Sequence, residues 1–237
     1  MDSPYILKDS FSFAKEISEL TNCDYHMASF DVKSLFTNVP VNETIQIVLN
    51  KLFPNSDSIF LGFNKKLFSK VLQLCTKDNL FLFNSETFFQ IDGAPMGGCV
   101  SPTLADIFMG FHEQVWLNNC PNEFKPVFYR RYVDDTFLLF RSPSHVQLFL
   151  TYLNSQDQSI EFSSESEKNY KISFLDITID KFSNDFSTSL YRKPTFTGLF
   201  TKFNSAISNS YKYNLILYIL DRAYKLCSTY LNFTNEI

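Results

Sequence analysis

From Ser10 to Leu20 apolar residues return at helical spacing, with Phe13, Ile17 and Leu20 on one side, which predicts a short helix. His26 to Val32 reads as a strand whose outer end carries Asp31. Asn42 is read as the N-cap of a helix with Ile45, Val48, Leu49 and Leu52 on one face, stopped by Pro54. Asn64 caps a second helix carrying Leu67, Val71 and Leu74. Residues 81–83 and 87–91 read as a hairpin across Asn84, Ser85 and Glu86. A glycine-rich loop over residues 92–98 follows, and Ser101 as N-cap with Pro102 at the first helical position opens a helix to about Asn118. Ser142 and Pro143 open another helix, with Val146, Phe149, Leu150 and Leu153 inward. Residues 160–162, 172–179 and 186–191 supply strands, and residues 211–230 close the chain as an aromatic-rich helix. Helices interleaved with antiparallel hairpins predict an α+β fold of the split β-α-β type, an antiparallel sheet backed by helices.

Composition narrows this picture only slightly. The 237 residues are 45% apolar and 19% charged, enough for a sizeable core. With 27 Phe and 12 Tyr against 6 Gly, a packed, sheet-containing structure is expected. The five cysteines are odd in number and lack the two-residue spacing of zinc sites, a pattern of reducing compartments. No signal peptide is visible, and the apolar run from Leu215 to Leu220 is too short to cross a membrane. An intracellular protein, nuclear or cytoplasmic and not secreted, is therefore expected. The net charge of −4 argues mildly against a polyanionic partner, yet residues 191–225 hold six basic residues and one acid, Asp221.

Candidate chemistry centres on Asp134 and Asp135, which lie between Tyr132 and Val133 on one side and Phe137, Leu138 and Leu139 on the other. They sit where a hairpin between two apolar strands would turn. Adjacent carboxylates repel, and no glycine eases the bend. A hard divalent cation would reconcile the two charges. A solvated aspartate turn remains open on these residues alone. If the strand ending at Asp31 lies beside this hairpin, three carboxylates converge, a costly cluster unless it binds cations. Two magnesium ions roughly 3.5–4 Å apart would satisfy it and promote phosphoryl transfer.

Five stretches in order carry a resemblance: residues 29–40 from Ser29-Phe30-Asp31-Val32 to Pro40, the loop from Gly93 to Pro102, the segment 131–135, then Phe174-Leu175-Asp176 and residues 191–195. Together they resemble the palm of reverse transcriptases, most closely those of Penelope-like retroelements, over about residues 5 to 228. The resemblance implies an RNA-directed DNA polymerase that joins deoxynucleoside triphosphates to a primer 3′-hydroxyl on an RNA template. By it, Asp31 and Asp134 hold two Mg²⁺ ions, for which Mn²⁺ substitutes, with the Val32 carbonyl completing a site and Asp135 as the less direct third acid. Phe36 takes the position that excludes the ribose 2′-hydroxyl, although alone it would read as a core aromatic. Met96, Gly97 and Gly98 take positions beside the nucleotide and template, where Met96 and Gly98 depart from the commoner Gln-Gly-Ser pattern; a plain turn before a helix is the alternative. Tyr132, Tyr191, Arg192, Lys193 and Lys202 are the implied contacts to nucleic acid. Lys168 and Lys171 match a pyrophosphate-protonating lysine less well than they match exposed turn residues.

The resemblance implies a palm with partial fingers over residues 1–195, then a primer-grip extension and partial thumb over residues 196–237. Upstream fingers and a downstream GIY-YIG endonuclease, carried by many relatives, are missing from the match, so a fragment or a decayed element is expected. A catalytically inactive remnant that only binds RNA or protein is the alternative, and an RNA-dependent RNA polymerase or cyclase a third reading, disfavoured by Phe36.

Overall fold

The computed structural model describes residues 3–20, 24–55, 57–77, 79–182 and 185–236. Among them the chain forms α1 (Ser10–Ser18), β1 (His26–Val32), α2 (Leu35–Asn38), α3 (Val41–Leu52), α4 (Lys65–Thr76), β2 (Leu80–Phe83), β3 (Glu86–Phe89) and α5 (Ser101–Asn119). It continues with β4 (Phe128–Tyr132), β5 (Asp135–Phe140), α6 (Pro143–Asn154), β6 (Phe162–Ser166), β7 (Lys171–Phe174), β8 (Ile177–Phe182), β9 (Asp185–Leu190), α7 (Asn209–Leu226) and α8 (Tyr230–Glu236). The class is α+β with antiparallel pairing, as the pattern predicts. Strands β4, β5, β1 and β6 bond in that order, β2 pairs with β3, and β7, β8 and β9 form a third sheet.

Two compact units are distinguished, one of Met1–Ile6, Phe30–Lys125 and Ser144–Ser164, the other of Leu7–Ser29, Pro126–Pro143 and Glu165–Ile237. In the first, Ile45, Leu49 and Phe53 are buried and take Phe68 and Leu72 of α4 against them. The face of α4 therefore differs from the expected one: Leu67 and Leu74 are exposed. Asn64 does cap α4, accepting from the Leu67 amide at 2.9 Å. Asn42 does not cap α3, which begins one residue before it with Pro40 at the cap position and no side-chain bond there. The β2–β3 hairpin turns on Asn84 and Ser85 alone, both with positive φ, the geometry whose twist suits two-residue hairpins.

The second unit has its own core, in which Phe13 and Ile17 of α1 meet Phe137 and Leu139 of β5 and Ile177 and Ile179 of β8. The Phe13 ring lies 5.2 Å from that of Phe137 and 4.9 Å from that of Phe174, both edge-to-face. Each such fully buried aromatic contributes about 1.5–3 kcal/mol over its exposed state. Residues 172–179 are not one strand: Leu175, at φ 55°, and Asp176 turn the chain, and β7 folds back on β8. The expected strand at 160–162 begins later, at Phe162. The closing helix breaks between Leu226 and Tyr230. There the Ser228 amide donates to the Thr188 carbonyl and its hydroxyl accepts from the Thr188 amide. Cys75, Cys99, Cys120 and Cys227 are free thiols, while Cys23 lies outside the described residues. No described helix is long and apolar enough to cross a membrane.

Candidate active site

In the first unit the site residues are set by the end of β1. Phe30 and Val32 are buried and Asp31 between them is exposed, so strand alternation turns the acid outward. Ser163 donates its hydroxyl to the Asp31 carbonyl at 3.5 Å, and Lys33 pairs with Glu161. Ser34 then takes the left-handed conformation at φ 51°, and its carbonyl accepts from the Thr37 amide and hydroxyl at 3.1 and 2.9 Å. Asn38 closes the bend by donating to the Lys33 carbonyl at 3.0 Å. Phe36, on the single turn of α2, is half-buried.

The glycine-rich loop is locked to this turn. Ala94 donates its amide to the Phe36 carbonyl at 2.7 Å. Gly93 has φ 76°, and a Cβ there would stand 2.4 Å from the Thr37 carbonyl oxygen, so only glycine permits the approach. Gly97 is needed for its φ of 83° and not for crowding, since a Cβ would meet nothing within 4 Å. Met96 is exposed beside it. Ser101 is not the cap of α5, which is Val100; its hydroxyl donates instead to the Pro95 carbonyl at 2.7 Å and folds the loop onto the helix.

In the second unit β4 and β5 pair from Phe128 with Leu139 to Tyr132 with Asp135. The two turn residues are thus Val133 and Asp134, and Asp135 begins the strand, one position on from the expected bend. Val133 is held at φ 56°, a rare conformation for a β-branched residue that costs about 1–3 kcal/mol. What sustains it is Arg131, completely buried, whose Nη1 donates to the Val133 carbonyl at 2.7 Å. Leu7 in turn donates its amide to the Arg131 carbonyl at 2.7 Å. Sequence reasoning missed Arg131. The signal was available: alternation in β4 puts Arg131 on the buried side with Tyr129 and leaves Tyr132 exposed.

The Phe174-Leu175-Asp176 motif also has a structural task. The Asp176 carbonyl accepts from the Tyr191 amide at 2.8 Å, and its carboxylate pairs with Arg222 and accepts from the Ser10 hydroxyl at 3.3 Å. This anchors the segment after β9 from which Tyr191, Arg192 and Lys193 project. Arg192 pairs with Glu236 of α8 and lies 5.2 Å over the Phe196 ring. Lys193 and Lys202 are exposed. Lys171 pairs with Asp180 at 2.7 Å, and Lys168 is exposed beside the turn at Asn169 and Tyr170, which agrees with the turn-lysine reading.

Among the described residues no group of three or more His, Cys, Asp or Glu side chains is gathered so as to hold a metal ion. The expected three-acid cluster is therefore not displayed. Each unit separately offers hard oxygen donors, the exposed Asp31 in one and the half-buried Asp134 and Asp135 in the other, which is the donor chemistry a divalent cation takes.

A family model described as reverse transcriptase (RNA-dependent DNA polymerase) matches residues 2–198. No curated protein sequence matches the chain. Among solved structures, telomerase from Candida albicans in complex with the TWJ fragment of telomeric RNA is similar, with a TM-score of 0.68 and 11% identity over 93% of this chain and 40% of that one. Telomerase from Candida tropicalis with the same kind of RNA fragment gives 0.64 at 14% identity, over 98% of this chain and 41% of the other. Apo Candida tropicalis telomerase lacking its C-terminal domain gives 0.60 at 14% identity, over 77% and 40%. At such identities the likeness is one of fold, and the chain spans about two fifths of the telomerase chains it matches.

Proposed function

The chain belongs to the reverse transcriptase (RNA-dependent DNA polymerase) family, and from this we propose that it carries the polymerase palm of a Penelope-like retroelement. Its reaction adds deoxynucleotides to a primer 3′-hydroxyl along an RNA template. The observation that supports this most is the turn at Val133 and Asp134, kept in a strained conformation by a buried arginine, within the stretch that the family model matches. Strain maintained by surrounding structure is a mark of functional sites.

Asp31 and Asp134 hold two Mg²⁺ or Mn²⁺ ions in this reading, with the Val32 carbonyl and Asp135 completing the set. When bound, the divalent ions neutralise charge that develops on the transferred phosphoryl group. The protein's own part is positioning. Phe36 crowds the sugar C2′ so that a ribonucleotide is excluded. Met96 and Gly97 border the nucleotide, and the Ala94–Phe36 hydrogen bond keeps their loop in step with the gate. Tyr132, Tyr191, Arg192, Lys193 and Lys202 hold the primer strand. Residues 1–195 then serve as palm with partial fingers and residues 196–237 as primer-grip extension and partial thumb, in an intracellular protein.

Primer extension on an RNA template with Mg²⁺ or Mn²⁺ tests the reading. Incorporation is expected from the unaltered chain and lost in Asp134→Ala. Phe36→Ala is expected to gain ribonucleotide incorporation. Absence of incorporation, with salt-sensitive RNA binding that survives Asp134→Ala, would assign a binding-only remnant instead.

A further inference from the structure

We propose that the cavity beside Tyr191 receives one unpaired base of a single-stranded nucleic acid. It rests on the reading above only in taking nucleic acid as the partner. The cavity lies wholly within the second unit and measures about 350 Å³, at the small end of ligand pockets. Tyr191, Phe196 and Phe200 line it from the segment after β9, and Tyr218 and Arg222 from α7. Phe196, Phe200 and Tyr218 are 44%, 46% and 56% exposed, a cluster of large rings left to solvent. Base faces stack on such rings with little regard for sequence.

The charges select the occupant. Arg192, Lys193 and Arg222 line the same cavity and no acid does. Both guanidinium groups are fixed: Arg222 by Asp176 and by donating to the Tyr218 hydroxyl at 3.0 Å, Arg192 by Glu236 over the Phe196 ring. A guanidinium fixed in this way keeps further N–H donors in fixed directions for a base edge. Lys193 has no ion-pair partner among the described residues, and its ammonium is available to a backbone phosphate. With six basic residues and one acid across residues 191–225, an anionic chain bearing planar rings fits better than an apolar or acidic-rimmed peptide.

The test is fluorescence anisotropy with the full chain, in EDTA, using a labelled single-stranded RNA and a strand of equal length carrying abasic sites. The base-containing strand is expected to bind more tightly. Phe200→Ala is expected to weaken it about 5- to 150-fold while leaving the abasic strand unchanged. Phe200→Leu, which keeps apolar bulk and removes the ring, is expected to behave like Phe200→Ala; an unchanged melting temperature in both variants certifies the fold. Equal affinity for the two strands, or base preference that survives both substitutions, overturns the subsite. Because no divalent ion is present, loss of primer extension alone would sink the polymerase reading and leave this one standing.

Discussion

Arg131 occupies a strand position where a methionine or leucine would pack more cheaply, since a buried guanidinium must be matched by acceptors. One of its matches is the Val133 carbonyl, and through it the residue sets the turn that carries Asp134. Arg131→Met keeps the length and removes that donor, whose loss is worth about 1.5–3 kcal/mol. Nucleotide incorporation is expected to fall at least about tenfold in a primer-extension assay, and Arg131→Lys is not expected to restore it, because an ammonium lacks the planar fork. Unchanged incorporation in Arg131→Met would show the turn to be held by its strands alone. Asp9 offers a simpler residue-scale case. It caps α1, accepting from the Ser12 amide at 2.7 Å while its own amide donates to the Ser12 hydroxyl at 3.3 Å. That backbone bond, followed by the Ser12 side chain, holds its carboxyl below the usual range. A depressed carboxyl contributes stability above its unfolded value, about 3.9, and loses it as pH falls through the folded one. Asp9→Ala is expected to cost about 0.5–2 kcal/mol at neutral pH. By thermal unfolding, the advantage of the unaltered chain over Asp9→Asn should shrink as the medium becomes strongly acidic.

At the scale of elements, Glu167 follows β6 and ties three segments of the second unit. Its carboxylate accepts from the Met27 amide at 3.0 Å and lies 3.3 Å from Lys181 Nζ and 3.4 Å from His26 Nδ1, all largely buried. Glu167→Ala leaves the largely buried Lys181 ammonium with no carboxylate, beside only the Tyr25 carbonyl and the Tyr170 ring, and a loss of about 3–5 kcal/mol in unfolding free energy is expected. Adding Lys181→Met should recover most of it; a double variant no better than the single one refutes the pairing. How far such elements are legible depends on whether their signal is local. β1 can be read to the residue because alternation runs unbroken from Ala28 to Val32. The β7–β8 hairpin is lost when only apolar content is counted, yet Ile172 and Phe174 fall on one parity and Ile177 and Ile179 on the other, the mark of a two-residue turn. The buried face of α4 is not legible, because Leu67, Val71 and Leu74 fit helical spacing as well as Phe68 and Leu72 do, and only the partner helix chooses. The break after Leu226 belongs to the same class, set by bonds to Thr188 some forty residues away. Of the candidate site, the two acids of the hairpin and the glycine loop are local and legible. The burial of Arg131 can be read from the alternation of β4, whereas the capture of Arg192 by Glu236 is tertiary and cannot.

For the whole molecule, 21 basic against 25 acidic side chains give a net charge of −4, which repels a polyanion weakly at long range. Binding of nucleic acid must then come from local concentration of charge, and residues 191–225 supply it with six bases and one acid. These two facts make a prediction that general basicity would not. Each phosphate neutralised by a lysine releases counterions, so the slope of log affinity against log salt counts contacts. Lys193→Ala and Lys202→Ala, both at exposed positions, should each lower the magnitude of that slope by about 0.7 for a single-stranded RNA. Lys8→Ala, equally exposed but outside the basic stretch, should leave the slope unchanged while altering net charge by the same amount. Glu236→Gln removes the partner of Arg192 and should raise the magnitude by up to about 0.7, since a guanidinium held by a carboxylate must first be released to meet a phosphate. If all four substitutions shift affinity only in proportion to net charge, the chain binds as a diffuse charge and residues 191–202 lose their claim to hold the primer strand.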